Sequence, residues 1–376
     1  VSNGADYQYT MTYIAAVRER MAPELGMLMH DQMIPELKKI SSDKGYDLVP
    51  YVHLKGNVPE KGIEVFNDLP RYAMGYASLF NSISYTLETH MLKSFPERVK
   101  ATQVFIAGTI DWMSRNSEAI EQARVKALEW EKELTHYCYN FAVTEKVDSL
   151  LFKGYECSTP VSEITGLERL KYHRDQPYEK YVPYYHECRA KDSVLVPDFY
   201  VIGGQCTDVI ERLRANNVRM TTLTEDTKML LNRSQIVSFE SNRTPYEGHY
   251  MHTNIKRDIA QIPIHIKKGD VLVSTDQRNR RFILSVLEPD APDSYFVWNF
   301  FDAYLQEKEY FSSYVFEDKA FEILENNPEL KAEFKKKKKS DKAFRESSWD
   351  QLYFVYKNSE CFEPTYNALP VVSGSY

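Results

Sequence analysis

Ile83, Tyr85 and Leu87 alternate with Ser84, Thr86 and Glu88, the period-two pattern of a strand built from β-forming residues. At Ser94 the pattern changes. Ser94-Phe-Pro-Glu97 has the make-up of a capping box with proline in the first turn, and Val99, Thr102, Ile106, Ile110 and Met113 recur at helical spacing. A strand, a short loop and a helix are predicted in that order. Glu88 and His90 then sit at the strand's carboxyl end, the edge at which open α/β sheets bind ligands.

The same reading extends both ways along the chain. Leu25, Leu28, Met29 and Leu37 predict a helix over Met21 to Ile40, with Pro23 and Pro35 limiting its pieces. Ile120, Ala123, Ala127, Trp130 and Leu134 predict a second amphipathic helix after a break at Asn116-Ser117. Beyond about Tyr139 the texture becomes short β-like runs punctuated by Pro, Asn and Gly: SVLVPDFYVIGG, VRMTTLTED, SQIVSFES, DVLVSTDQ and FILSVLE. DFYVIGG leads into a helix over Cys206 to Ala215. From Phe300 the chain reads as helical again, before a final strand-like QLYFVY. Two units are predicted, residues 1–140 and 141–376, both of mixed α/β class, the second richer in β.

Composition narrows the functions. With 376 residues the chain can bury two cores, and 43% hydrophobic with 27% charged residues is the balance of a soluble globular protein. A net charge of −7 argues against a nucleic-acid partner, which needs a broad basic face; the one dense basic run, Lys335 to Lys339, reads as a solvated helix end or loop. No apolar run approaches the roughly 20 residues of a membrane span. The five cysteines are too scattered for a disulfide scaffold or a Cys-x-x-Cys metal site. The opening VSNGADYQY has no initiator Met and reads as a loop already under way, so a fragment is expected.

The common catalytic signatures are missing: no Gly-x-Ser-x-Gly, phosphate loop, dinucleotide fingerprint or His-Glu-x-x-His. Glu247, His249 and His252 in YEGHYMH are metal-ligand types, but Pro245 and Gly248 make the stretch a loop, for which a plain polar loop is the competing reading. Glu88 is the leading candidate. A carboxylate at a sheet rim is partly desolvated, which suits it to general-base work; a simple salt bridge to Lys93 or Arg98 is the alternative. His90, in phase with Glu88, can orient a substrate or serve as a structural histidine. Just upstream, Arg71 can pair with a carboxylate, and Tyr72 or Tyr76 can donate a phenolic proton to a developing oxyanion.

The stretch LPRYAMGYASLFNSISYTLETHMLKSFPERVKAT resembles the carboxyl-terminal part of bacterial members of the zinc carboxypeptidase A superfamily: a Pro-Arg-Tyr-x-x-Gly-Tyr segment, a strand ending Glu-Thr-His, and a helix beyond a short loop. VSNGADYQYT is similar to the segment that follows the third zinc ligand in those relatives. LEPDAPDSYFVWNFFD and NNPELKAEF resemble their β-rich extension. The resemblance implies that residues 1–140 are the end of a carboxypeptidase-like domain and 141–376 a β-rich accessory domain with carboxyl-terminal helices. It further implies Glu88 as general base, Tyr72, with Tyr76 as its rival, as the tyrosine capping the substrate, and Arg71 as a holder of a substrate carboxylate; Tyr76 and His90 complete the substrate-binding candidates. Zinc is the implied cofactor, with its ligands upstream of Val1, and a peptide or amide-linked amino acid the implied substrate. The implied location is periplasmic or extracellular. The expected function is that of a zinc-dependent carboxypeptidase of which this chain alone is inactive; the alternative is a peptide- or glycan-binding protein on the same fold, motivated by 27 tyrosines.

Overall fold

The computed structural model describes residues 5–376; Val1 to Gly4, where the segment expected to follow a zinc-binding histidine begins, lie outside the described residues. The chain opens on β1 (Met11–Ala15), followed by α1 (Pro23–Met27), a π-helical segment over Leu28–Met33 and α2 (Ile34–Asp43). These are the pieces of the predicted first helix. Proline near the first turn of α1 and of α2 fits its lack of an N–H, and Leu25, Leu28, Met29 and Leu37 are all buried. Next come β2 (Leu48–Pro50), two short strands β3 (His53–Leu54) and β4 (Ile63–Glu64), α3 (Ala73–Ser78) and β5 (Tyr85–Thr89). β1 lies between β2, parallel to it, and β5, antiparallel to it, with Thr12 opposite Glu88.

Half of the predicted capping box forms: Ser94 Oγ accepts the Glu97 N–H at the start of α4 (Phe95–Arg115), while the Glu97 carboxylate accepts the Tyr46 hydroxyl instead. The stripe that revealed this helix is not the one it buries. Ala101, Phe105, Gly108 and Trp112 face the core, while Val99, Ile106, Ile110 and Met113 are exposed. Small residues let α4 approach α2 closely, since a Cβ on Gly108 would stand 2.9 Å from Ile40 Cγ2. α5 (Ser117–Lys132) follows, burying Ala123 and Ala127.

The remaining elements are β6 (His136–Val143), β7 (Asp148–Ser158), β8 (Lys171–Tyr185), β9 (Cys188–Leu195), β10 (Phe199–Ile202), α6 (Thr207–Ala215), β11 (Thr221–Thr222), β12 (Thr227–Ser241), β13 (His252–Ile266) and β14 (Val271–Ser274). Then come α7 (Arg280–Leu287), a carboxyl-terminal group of α8 (Ser313–Asn326), α9 (Pro328–Ser340), α10 (Lys342–Glu346) and α11 (Ser348–Lys357), and β15 (Ala368–Gly374). An antiparallel six-stranded sheet runs β11-β14-β10-β15-β12-β13. Residue 140 falls inside β6, and the sheet β3-β4-β8-β7 draws strands from both sides of it.

Two predicted strands are helices. FILSVLE lies in α7, where every residue from Arg281 to Leu287 is buried; a short apolar run that is covered all round carries no period that separates helix from strand. QLYFVY lies in α11, nucleated by Ser347, whose hydroxyl accepts the Asp350 N–H at 3.2 Å. The closing strand is instead β15, which carries Pro370. The proline stands where the ladder to β12 is irregular and only its carbonyl is used, by the Gly203 N–H at 3.0 Å. No helix among the described residues is long and apolar enough to cross a membrane.

Candidate functional site

Alternation along β5 divides its side chains between two faces. Tyr85 packs edge-on against Phe105 of α4, with ring centroids 5.1 Å apart, and its hydroxyl meets Thr109 Oγ1 at 2.7 Å. Thr86 and Glu88 share the opposite face, on the side of α3, where the Thr86 hydroxyl donates to Met74 Sδ at 2.6 Å. Glu88 is half-buried. Lys93 instead lies over the Tyr155 ring at 5.9 Å and Arg98 over Phe95 at 5.8 Å, and among the described residues neither forms an ion pair with Glu88.

The charge of the Glu88 carboxylate is felt by two phenols. Burial, then the charges of Tyr51, Glu88 and Asp6, push the Tyr7 phenol far up. Tyr51 is raised by burial, then by Glu88 and Tyr72, so it lies within the field of both predicted catalytic residues. Both phenols therefore stay neutral donors. His90 is buried, stacked on Tyr7 at 4.2 Å with its Nε2 3.2 Å from Asp6 Oδ1; the other Asp6 oxygen accepts from Arg174 Nε at 2.6 Å.

Tyr72 caps the start of α3 with extended backbone, and its N–H donates to the Leu69 carbonyl at 2.9 Å. The turn is held against α3 at Gly75, where any Cβ would collide with the Leu69 carbonyl. That is the physical need behind glycine in Pro-Arg-Tyr-x-x-Gly-Tyr. The Tyr72 ring stands edge-on to Phe66 at 5.4 Å, and Phe66 in turn to Tyr51 at 5.8 Å and His53 at 5.8 Å. An aromatic wall thus joins Tyr72 to the neighbourhood of Glu88.

Arg71 and Tyr76 are engaged elsewhere. Arg71 Nε pairs with Asp293 Oδ1 at 2.8 Å, its backbone N–H donates to Asp293 Oδ2 at 2.9 Å, and its guanidinium lies over Tyr246 and Trp298. The Tyr76 hydroxyl donates to Asn216 Oδ1 beyond the end of α6. Both tie the motif to the β-rich half of the chain. Tyr7, Tyr51 and Phe66 escaped the sequence reading. Their one signal was aromatic spacing in ADYQY, VPYVHL and GIEVFND, which tyrosine abundance obscures.

YEGHYMH forms a tight hairpin turn rather than a metal site. Tyr246 and His249 exchange backbone hydrogen bonds at 2.9 Å around Glu247 and Gly248, both at positive φ. His249 packs on Trp298 and Phe300, while His252 is buried between Ser241 Oγ at 2.9 Å and Asp302 Oδ1 at 2.8 Å. No group of three His, Cys, Asp or Glu able to hold a metal exists among the described residues. A catalytic zinc takes three protein ligands, so these residues by themselves do not fit one. Compared with family models, curated proteins and solved structures, the chain matches none.

Proposed function

We propose that the chain is the base-bearing part of a carboxypeptidase-like hydrolase acting on peptides or amide-linked amino acids, exported to the periplasm or beyond. What supports the reading is Glu88 itself: half-buried at the end of β5, its charge felt by the neutral phenols of Tyr7 and Tyr51, and among the described residues not in an ion pair with Lys93 or Arg98. In this role the carboxylate takes a proton from the attacking water and returns it to the leaving amine. Tyr72, a third exposed at the rim of the aromatic wall, donates to the oxygen on which charge develops. The zinc that the resemblance implies has no donor set among the described residues, and no step is assigned to it.

The test is Glu88→Gln in the full-length gene product, followed by hydrolysis of a peptide panel. Loss of the base should lower turnover by about 10² to 10⁴ at an unchanged unfolding temperature. Unchanged turnover sinks the assignment. The aromatic wall of Tyr51, Phe66 and Tyr72 supports a second reading, a peptide-binding protein that stacks on its ligand there. Metal-free protein that binds peptides without cutting them, with Glu88→Gln binding equally well, would select it.

A further inference from the structure

A cavity of about 480 Å³ opens at the carboxyl ends of the parallel strands β1 and β2. The rings of Tyr13, Tyr51, Phe66 and Tyr184 form its apolar walls. Its volume is that of a small-molecule site, and its place is the end of a parallel pair where ligands gather in α/β sheets. Tyr51 is shared with the neighbourhood of Glu88, but Glu88 does not line the cavity.

The charged groups around this cavity are not all matched by ion pairs. Asp31 takes both terminal nitrogens of Arg18 at 2.7 and 2.5 Å and Glu187 pairs with Lys146 at 2.5 Å, while Glu19 accepts the Cys188 backbone N–H at 3.3 Å. His30 meets the Ala16 carbonyl at 3.0 Å, and burial lowers its pKa, so its ring is neutral at pH 7. Lys38 is different. It projects from α2 into the cavity with its ammonium 5.5 Å from the Tyr13 centroid, and among the described residues no carboxylate pairs with it. Burial lowers its proton affinity. A partly buried ammonium beside aromatic walls is stabilised when an anion is placed on it.

We propose that this cavity binds a small monocarboxylate with a flat apolar body, its carboxylate on Lys38 Nζ and its body between the Tyr51, Phe66 and Tyr184 rings. One unpaired cation calls for one negative charge; a second would face Glu19, Asp31 and Glu187. The rings call for an aromatic or similarly flat apolar body. The site stands independently of catalysis at Glu88.

Isothermal titration of the whole chain with 3-phenylpropionate and with its neutral amide tests this. The native protein should bind the acid about tenfold or more tightly than the amide, the worth of one charge-assisted hydrogen bond. Lys38→Met should bring the acid down to the level of the amide, and Lys38→Arg should keep most of the difference. No binding of the acid, or equal binding of acid and amide by the native protein, overturns the proposal without any variant. So does a folded Lys38→Met protein that keeps the preference.

Discussion

Replacing Arg281 with methionine should be among the most damaging single changes in this chain. Arg281 is 2% exposed at the start of α7. Its guanidinium donates to the Arg20 carbonyl at 2.8 Å, to Asn81 Oδ1 at 2.6 Å and to the Ser78 carbonyl, and its Nε lies 3.9 Å from Glu131 Oε1. Glu131, near the end of α5 and 3% exposed, accepts the Arg281 backbone N–H at 3.0 Å and the Asn81 side-chain amide at 2.5 Å. Methionine fills similar volume and keeps the backbone bond, but it strands a buried carboxylate and three acceptors. Removing one partner of a buried charge pair costs about 3–5 kcal/mol. A neutral acceptor left dry adds about 1–3 kcal/mol where water cannot enter; local relaxation offsets part of this, so about 3–5 kcal/mol is expected in total. Urea unfolding followed by tryptophan fluorescence measures it, with the m-value checking that the end states are unchanged. The charge assignment makes one further demand. Glu131→Met in the same chain should restore about 1–3 kcal/mol. A single-variant cost under about 1 kcal/mol at constant m, or a double variant no more stable than Arg281→Met alone, would refute the reasoning.

Gly75→Ala should cost about 1–3 kcal/mol and displace the turn that carries Tyr72, because the new Cβ meets the Leu69 carbonyl head-on and the Asp68 carbonyl at 2.9 Å; an unchanged melting temperature rules this out. Asp68 is fully buried, and burial raises its carboxyl to about 7 against the opposing pull of Arg20. The folded state thus holds this proton more tightly than the unfolded one, so stability should fall as pH rises from about 4 to about 7 and level off above, by about 4 kcal/mol at most. Asp68→Asn should flatten that slope and stabilise the protein at pH 8, and parallel pH–stability curves for the two proteins would refute it.

Where local chemistry decides structure, the chain could be read directly. The alternation ending at Glu88, the Ser94 cap and the prolines opening α1 and α2 each act within a few residues, and each stands where it was expected. The mixed α/β class follows from those periods. Local pattern failed where burial is complete. The helix α7 has no exposed face to give it a period, and β15 is a strand because β10 and β12 flank it. On α4 the period was right and the face was wrong: the close approach of α2 at Gly108 chose the small residues for the core and left Val99 and Ile106 outside.

The candidate site divides along the same line. Sequence alone placed Glu88 at a strand end and Tyr72 before a helix, because turns and caps are written in neighbouring residues. Tertiary structure alone brought Tyr7 and Tyr51 within the field of the Glu88 carboxylate, tied Arg71 to Asp293 across 222 positions, and left Lys38 without an ion pair beside an aromatic cavity. A charge is described by its type in the sequence, but its energy is set by what else lies within a few ångströms, and in this chain those neighbours come from segments tens to hundreds of residues away.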